Sequence, residues 1–240
     1  MGVITFNNIA STTVGIEVET YPEYVTPERE YESIHVPGRN GDVVIDTGSY
    51  KNTTRTYTVS IAVPSNTQYY KQMNKVAEWL QSGSGFCRLE DSYEPDYYAL
   101  AYYQPTTSFD NIFNQAGKGL LKFTCKPQRF LKSGESTTTY TSAGTIQNGT
   151  KFASLPIVEI TTNNSAGTVV IGNYTISVKA NAGTITVNSD TQDVYSGTLN
   201  KNSYITLING AFPKLDPGSN TISFSGGVTK VKVTPRWWTI

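Results

Sequence analysis

The composition of the chain changes at Cys125–Glu135, and this break constrains the fold more than any other feature. Before it, the sequence is rich in tyrosine and acidic residues; after it, short apolar runs alternate with Thr, Ser, Asn and Gly. Pro127 has no backbone donor and favours an extended residue before it, so we expect a strand to end near it. The dipeptide Ser133–Gly134 would then form a flexible joint. The break predicts two domains, residues 1–130 and 131–240.

Length and charge exclude several classes of protein. The 240 residues suffice for two domains with their own cores. The 19 basic and 19 acidic residues cancel, and neither a basic patch nor a polybasic amphipathic segment stands out, so we expect no sequence-specific nucleic-acid binding and no membrane insertion. Met1–Phe6 lacks the basic and apolar regions of a signal peptide, and we expect no secretion signal.

The two cysteines, Cys87 and Cys125, both lie in apolar, strand-like runs. Buried free thiols in a protein made in a reducing cytoplasm are the favoured interpretation. A disulfide between them is the alternative, if the two strands are neighbours.

The first half is predicted to be mostly strands with one amphipathic helix. Residues 55–63 alternate with the period of two that is typical of a half-buried strand. Ser65 and Gln68 then have the spacing of a capping box, and Ser82–Gly83 is typical of a helix end. Apolar residues follow the cap at helical spacing: Tyr69, Met73, Val76 and Leu80.

Residues capable of chemistry are scattered, and no catalytic set assembles. Asp46–Ser49 resembles the Asp-Thr-Gly of aspartic proteases, but a second copy is missing. His35 is the only histidine and has no partner at metal-ligand spacing. The loop Glu90–Asp96 could hold calcium or, as a hydrolase alternative, provide a carboxylate pair, but an exposed acidic hairpin is favoured. The loop's carboxylates are Glu90, Asp91, Glu94 and Asp96. We therefore expect that the protein is not an enzyme and that it binds no cofactor and no metal ion.

The second half consists of short alternating runs about ten residues apart, which predicts an antiparallel β-sandwich. Gly172–Asn173 and Gly226–Gly227 are interpreted as two-residue hairpin turns. Four of the expected strands are Leu155–Thr161, Thr168–Ile171, Thr221–Phe224 and Lys230–Thr234.

Tyrosine is unevenly distributed: twelve of the sixteen lie in the first 130 residues. Tyrosine is enriched at protein interfaces because it offers stiff contact area with a polar tip. The first half is therefore the predicted association half, although strands also favour tyrosine. Our candidate interface residues are Tyr31, Arg39, Tyr50 and Arg55. Trp237 and Trp238 are the candidate platform for an alternative function, carbohydrate binding.

Several stretches, taken together and in order, resemble the distal tail proteins of long-tailed (siphovirus-like) phages that infect Gram-positive bacteria. The similarity is spread over the whole chain. The stretches are Val36–Gly41 followed by Gly48–Tyr50, Lys126–Phe130, Asn188–Tyr195, Phe212–Gly226 and Val231–Trp238.

This resemblance implies a mainly all-β protein without enzymatic activity. Its first domain would be a ring-forming (belt) β-sandwich or split barrel with one helix, and its second a galectin-like antiparallel β-sandwich. Six copies would form a ring at the virion tail tip, after synthesis in the bacterial host cytoplasm. The ring would join the tail tube protein to the tail fibre hub, and it could anchor receptor-binding or baseplate proteins. The alternative function is a non-catalytic carbohydrate-binding module for the bacterial surface.

Overall fold

The structure, a computed structural model, describes residues 2–63, 66–105, 109–112 and 116–240. The chain divides into two compact units: Met1–Arg129 with Ile240 (unit 1), and Phe130–Thr239 (unit 2). Antiparallel strands dominate both units, and the described ranges contain one α-helix. The predicted mainly all-β fold is confirmed.

Unit 1 is a curled sheet with the strand order β2-β1-β7-β8-β10-β6-β3. Gly2 and Val18 exchange two backbone hydrogen bonds (3.0 and 3.3 Å), which join the two sides of the sheet into a barrel. Strands β4 and β5 pair separately as a hairpin, and β9 pairs with β10. The strands are β1 (Ile4–Phe6), β2 (Ile9–Ala10), β3 (Ile16–Val18), β4 (Arg29–Ile34), β5 (Val43–Tyr50), β6 (Thr53–Ala62), β7 (Cys87–Asp91), β8 (Tyr97–Tyr103), β9 (Phe109–Ile112) and β10 (Ala116–Leu131).

The core of unit 1 follows the alternation of its strands. On β6, Tyr57, Val59 and Ile61 are buried, as the period of two predicts. Helix α1 (Asn66–Leu80) packs on this core through its apolar face. The buried indole Nε1–H of Trp79 in α1 reaches the carbonyl oxygens of both Phe6 (3.2 Å) and Ile9 (3.1 Å), which ties the helix to the first hairpin. Ser65 of the predicted capping box lies outside the described residues.

Unit 2 is a β-sandwich built on two long strands, β13 and β19. The strand order is β11-β19-β13-β15-β16-β17; β12 also pairs with β19, and β14 pairs with β13 and β18. Its strands are β11 (Thr138–Tyr140), β12 (Gly144–Asn148), β13 (Ile157–Ile171), β14 (Tyr174–Val178), β15 (Thr184–Asn188), β16 (Asp193–Ser196), β17 (Leu199–Asn200), β18 (Ile205–Leu207), β19 (Gly218–Thr234) and β20 (Trp238–Thr239).

The predicted turn at Gly226–Gly227 is wrong, because β19 runs through both residues. Expected strands merge in pairs into β13 and β19, whose register shifts between Thr162 and Gly167. At this irregularity the two backbones approach so closely that a Cβ on Gly227 would lie 2.2 Å from the Ser165 carbonyl oxygen. These glycines permit a bulge rather than a chain reversal. The predicted Gly172–Asn173 turn is confirmed between β13 and β14.

The predicted strand end at Pro127 is also wrong, because β10 continues through it to Leu131. The β10–β6 ladder stops at the pair Cys125 and Thr53, so no N–H is required from Pro127 on that side. Beyond the strand, Gly134 is buried in a 3-10 turn. A Cβ there would lie 2.3 Å from the Trp237 nitrogen. This segment is a close-packed turn instead of the expected flexible joint.

The cysteines are free, so the disulfide alternative is wrong. Cys125 is buried, and burial raises the pKa of its thiol to about 11. The thiol is therefore protonated at neutral pH. No helix in the described ranges is both long and apolar enough to cross a membrane.

Candidate functional site

The β4–β5 hairpin, residues 29–50, meets solvent on both of its faces. Its strands pair with each other and, within the described residues, with no third strand. Nearly every residue of both strands is exposed. A two-stranded hairpin is at best marginally stable alone in water. An exposed hairpin of this kind is typical of an element that packs against a partner.

Large apolar side chains stand on both faces of the hairpin. Directly paired residues share a face, and Ser33 pairs with Val44 while Glu32 pairs with Ile45. Tyr31 and Val44 thus lie on one face, 56% and 60% exposed, and Ile34 and Ile45 lie exposed on the other. Contiguous exposed apolar surface on a soluble protein marks an interaction site.

Polar contacts hold the base of the hairpin in register. The Arg29 guanidinium bonds the Asp46 carboxylate (Nε–Oδ1, 3.0 Å) and the Tyr50 hydroxyl (3.1 Å). Asp46 also accepts the Gly48 N–H at 2.8 Å. The bond from Arg29, followed by that from Gly48, lowers the pKa of Asp46. Lys51 and Glu28 form a further ion pair at 3.0 Å.

The tip of the hairpin, Pro37–Gly41, is a turn with positive φ at both of its glycines. Below it, the Asp42 carboxylate accepts the Ser33 hydroxyl (2.7 Å) and contacts the His35 ring (3.2 Å). These two bonds, Ser33 first, lower the pKa of Asp42. Arg39 is exposed at the tip, and its guanidinium forms no ion pair within the described part of the chain. The tip therefore presents an uncompensated cation.

Three of the four residues expected to form the interface lie on this hairpin: Tyr31 on a face, Arg39 at the tip and Tyr50 at the base. The fourth does not. Arg55 lies on β6, its side chain is only 16% exposed, and it is bonded inside unit 1. Arg55 therefore has a structural role within the unit.

A cavity of about 180 Å³ occupies the end of the barrel where β6 begins and β10 ends; we call it the mouth. Helix α1 follows the other end of β6. Binding cavities often lie at barrel mouths. The residues that line it are Tyr21, Pro22, Glu23, Tyr24, Val25, Pro27, Thr53, Arg55, Tyr93, Glu94, Lys126, Pro127 and Arg129.

Asp91, although buried, anchors the floor of the mouth. Its Oδ2 accepts hydrogen bonds from the Tyr57 hydroxyl (3.0 Å) and Arg55 Nη1 (3.2 Å). Its Oδ1 accepts the backbone N–H groups of Tyr93 (3.0 Å) and Glu94 (2.9 Å). Burial and then the Asp91 charge raise the pKa of Tyr57 well above its usual value, so its hydroxyl remains a donor.

Glu94 extends this network to the rim of the mouth. It forms ion pairs with Arg55 (Nη2–Oε2, 3.3 Å) and with Arg129. The Arg129 guanidinium lies over two rings, those of Tyr97 (4.5 Å to the centroid) and Tyr24 (5.6 Å). Cation–π contacts of this geometry are attractive. The rim thus consists of tyrosine rings arranged around a neutralised arginine.

The expected exposed acidic hairpin is wrong for most of the loop Glu90–Asp96. Asp91 is buried, Glu94 is half-buried between two arginines, and Glu90 pairs with Arg88. Within the described residues no group of His, Cys, Asp or Glu side chains is suited to hold a metal ion. The sequence did contain one signal of this network: Arg55 is in phase with the core residues of β6, which requires an acidic partner inside.

The two tryptophans of the carbohydrate alternative are packing residues of unit 2. Trp238 stacks on Phe152 with the ring centroids 4.4 Å apart, and its Nε1–H donates to the Ala153 carbonyl oxygen (3.0 Å). Trp237 packs against the hydrophobic core. Both are half-buried. These contacts do not favour a role as a sugar-stacking platform.

Residues 11–125 match the family model of the phage tail protein RIFT-related domain. Over its full length the chain also has the fold of SPP1 Dit, whose crystal structure is described as a paradigm of the hub adsorption apparatus of phages that infect Gram-positive bacteria. The superposition has a TM-score of 0.77 at 13% identity and covers 100% of both chains. Residues 11–125 thus resemble a phage tail domain, and the whole chain has the fold of a distal tail protein.

Two baseplate structures of phage p2, both in the activated conformation, share this fold more distantly. The calcium form gives a TM-score of 0.53 at 13% identity over 97% of this chain and 98% of the other. The strontium form gives 0.52 at 13% identity over 96% and 97%. No curated protein matches the sequence. The domain match and the shared fold both agree with the resemblance to distal tail proteins found in the sequence.

Proposed function

We propose that this protein is a structural component of a phage tail and forms the hub of the tail tip. Six copies form a ring that connects the tail tube protein to the tail fibre hub, and the ring anchors receptor-binding or baseplate proteins. The fold of SPP1 Dit over the whole chain supports the hub role, and the match to baseplate structures supports attachment to other tail components.

The observation that carries this proposal is the exposed hairpin, with apolar side chains on both faces. A second copy of the chain is the simplest partner, because the same element is then covered in every subunit. If the hairpin binds a different surface on the neighbour, the contact is heterologous, and a heterologous contact whose rotation closes generates a ring. We assign ring formation to unit 1 and outward attachment to unit 2. In the boundaries expected from the sequence, these are residues 1–130 and 131–240.

A non-enzymatic role is part of the proposal. Three of the four carboxylates that could serve a hydrolase are engaged: Asp91 and Glu94 bond arginines, and Glu90 bonds Arg88. The fourth, Asp96, is exposed to solvent. The free thiols of Cys87 and Cys125 suit synthesis in the reducing cytoplasm of the bacterial host. The proposed function needs no cofactor, nucleic acid or membrane.

Light scattering of the purified protein, alone and with its tube and hub proteins, tests the ring. We expect an assembly six times the 26.3 kDa mass of the chain. The double variant Tyr31→Ser, Val44→Ser should reduce assembly because it removes exposed apolar contact area. It should leave the free energy of unfolding within about 0.5 kcal/mol, as surface substitutions usually do.

The matched control is Leu199→Ser, which removes an equally exposed apolar side chain from unit 2. This variant should assemble like the parent protein. A parent protein that stays monomeric in every mixture would contradict the proposed function.

A further inference from the structure

We infer that the hairpin tip of one copy, Pro37–Gly41, inserts into the mouth of a neighbouring copy, where Arg39 meets the tyrosine rim and Glu23. This inference rests on the proposed ring and goes beyond it by naming the two surfaces that join. Both surfaces belong to unit 1. Among the described residues, the Arg39 cation of the tip and the exposed Glu23 carboxylate of the mouth each lack an ion-pair partner.

The tip cannot reach the mouth of its own chain. The hairpin begins at Arg29 and ends at Tyr50, two residues after Pro27 and three before Thr53, both of which line the mouth. At roughly 3.3 Å per residue, the six residues of β4 hold the tip about 20 Å from this base. The acceptor is therefore another copy.

The mouth already binds one guanidinium group through tyrosine. Arg129 lies over Tyr24, yet Tyr24 is still 65% exposed. Tyr21 is 76% exposed, and its ring packs against that of Tyr93 at a tilt of 39°, with the centroids 3.9 Å apart. These rings present free surface at the opening of the cavity. A second arginine can lie over them as Arg129 does, and such contacts are favourable even at exposed sites.

The charges of the two surfaces are complementary. Inside the mouth, Arg55 and Arg129 are neutralised by Asp91 and Glu94. Glu23 lines the cavity and is exposed, and no ion pair engages it among the described residues. The remaining cation of the lining, Lys126, lies over the Phe86 ring (5.3 Å). An exposed acid in the mouth thus faces an exposed base on the tip.

The contact is of the head-to-tail kind that a closed ring requires. Tip and mouth are different surfaces of one unit, so each copy donates one hairpin and receives one. Such head-to-tail contacts leave free ends unless the last copy meets the first. A closed ring therefore covers every hairpin and fills every mouth.

Charge reversal tests the pairing. Arg39→Glu and Glu23→Arg should each weaken assembly by more than about tenfold, because each places like charges together at the interface. The double variant, which restores opposite charges, should recover most of the assembly. Lys71→Glu, an exposed reversal on α1, is the control and should have no effect. Circular dichroism melting checks that all four variants fold. Single reversals without effect, or a double variant that is no better than either single one, would overturn the inference.

Cross-linking locates the contact directly. In a Cys87→Ser background, Asn40→Cys at the tip is combined with Val25→Cys in the mouth and treated with a short bismaleimide. We expect a ladder of covalent oligomers ending at six copies. The control pairs Asn40→Cys with Leu199→Cys of unit 2 and should give no ladder.

The outcomes separate the inference from the proposed function. A ring of six copies without the ladder overturns the inference and leaves the ring standing. A protein that never assembles overturns both. In assembled tails, a cross-link from Val25→Cys to a different tail protein would assign the mouth to that partner and would likewise overturn the inference.

Discussion

The two units of the chain differ in how completely their own residues cover their strands. Unit 1 extends a hairpin that has no core beneath it and keeps an ion-pair network at the mouth of its barrel. Unit 2 places its strands in one continuous sandwich, where the long β13 and β19 belong to both layers. This difference supports the proposal that unit 1, rather than unit 2, is the part of the chain that assembles with other copies.

Unit 2 shows this self-sufficiency in its buried polar groups. Asn148 Nδ2 donates to the carbonyl oxygens of Phe152 and Leu215, both at 2.9 Å. Asn220 Oδ1 accepts the Asp216 N–H at 2.9 Å, and its Nδ2 donates to the Asp216 carbonyl oxygen at 2.8 Å. These amides satisfy loop backbone that would otherwise be buried without partners. In unit 2, neutral hydrogen bonds satisfy these buried polar groups, whereas in unit 1 ion pairs satisfy the buried groups of the mouth.

The largest expected effect is the loss of the charge network in unit 1. Asp91→Ala leaves Arg55 and the Tyr57 hydroxyl without their buried acceptor. Breaking a buried ion pair typically costs about 3–5 kcal/mol. Chemical denaturation should therefore show unit 1 unfolding at much lower denaturant, with unit 2 unaffected. Asp96→Ala, an exposed acid of the same loop, is the control. If Asp91→Ala and Asp96→Ala are equally stable, the buried charge network does not stabilise unit 1, and this difference between the units is contradicted.

A smaller loss is expected from Gly134→Ala in unit 2. The added Cβ would lie 2.3 Å from the Trp237 backbone nitrogen, and backbone cannot move aside cheaply. Overpacking of this kind costs about 1–3 kcal/mol. Thermal denaturation of unit 2 measures it. Gly149→Ala, whose Cβ would meet nothing within 4 Å, should be nearly neutral. If Gly134→Ala leaves the stability unchanged, the result would contradict close packing at Gly134 and support the flexible joint expected from the sequence.

The smallest effect is a pH response confined to the hairpin. Arg29 and the Gly48 N–H lower the pKa of Asp46, so its folded pKa lies below the unfolded value of about 3.9. The stability it contributes is complete above that unfolded value and is lost as the pH falls through the folded pKa. Below about pH 4, the Gly48 amide NMR signal should therefore shift as its hydrogen bond to Asp46 weakens.

The control for this titration is the Gly172 amide of unit 2, which donates to the Thr221 carbonyl oxygen (2.8 Å), a group that does not titrate. It should hold its position over the same range. Parallel shifts of both amides would indicate general acid unfolding instead of a response of the hairpin.

Local periodicity predicted much of the fold. The alternation along β6 and the helical spacing of Tyr69, Val76 and Leu80 correctly located core residues, because both patterns depend on near neighbours in sequence. The hairpin turn at Gly172–Asn173 followed from the same local rules. The candidate interface stays a prediction: Tyr31, Arg39 and Tyr50 lie on the exposed hairpin, whereas Arg55 is bonded inside unit 1.

The failures all involve contacts between distant residues. Gly226–Gly227 has turn chemistry, but Ser165 and Ala166 across the ladder make it a bulge. The acidic loop is polar in sequence, but Arg55 and Arg129, at least 35 residues away, bury and neutralise part of it. No local pattern specifies such pairings.

By itself, the sequence determined a mainly β protein with one helix, a compositional break near residue 130 and the likeness to distal tail proteins. These depend on residue periodicity and on the order of motifs along the chain. Only the tertiary structure decided which glycines reverse the chain, which carboxylates are buried and which strands lack a core beneath them. The physical reason is that burial and pairing are properties of residues brought together by the fold, and that is how the hairpin and the mouth became a candidate pair.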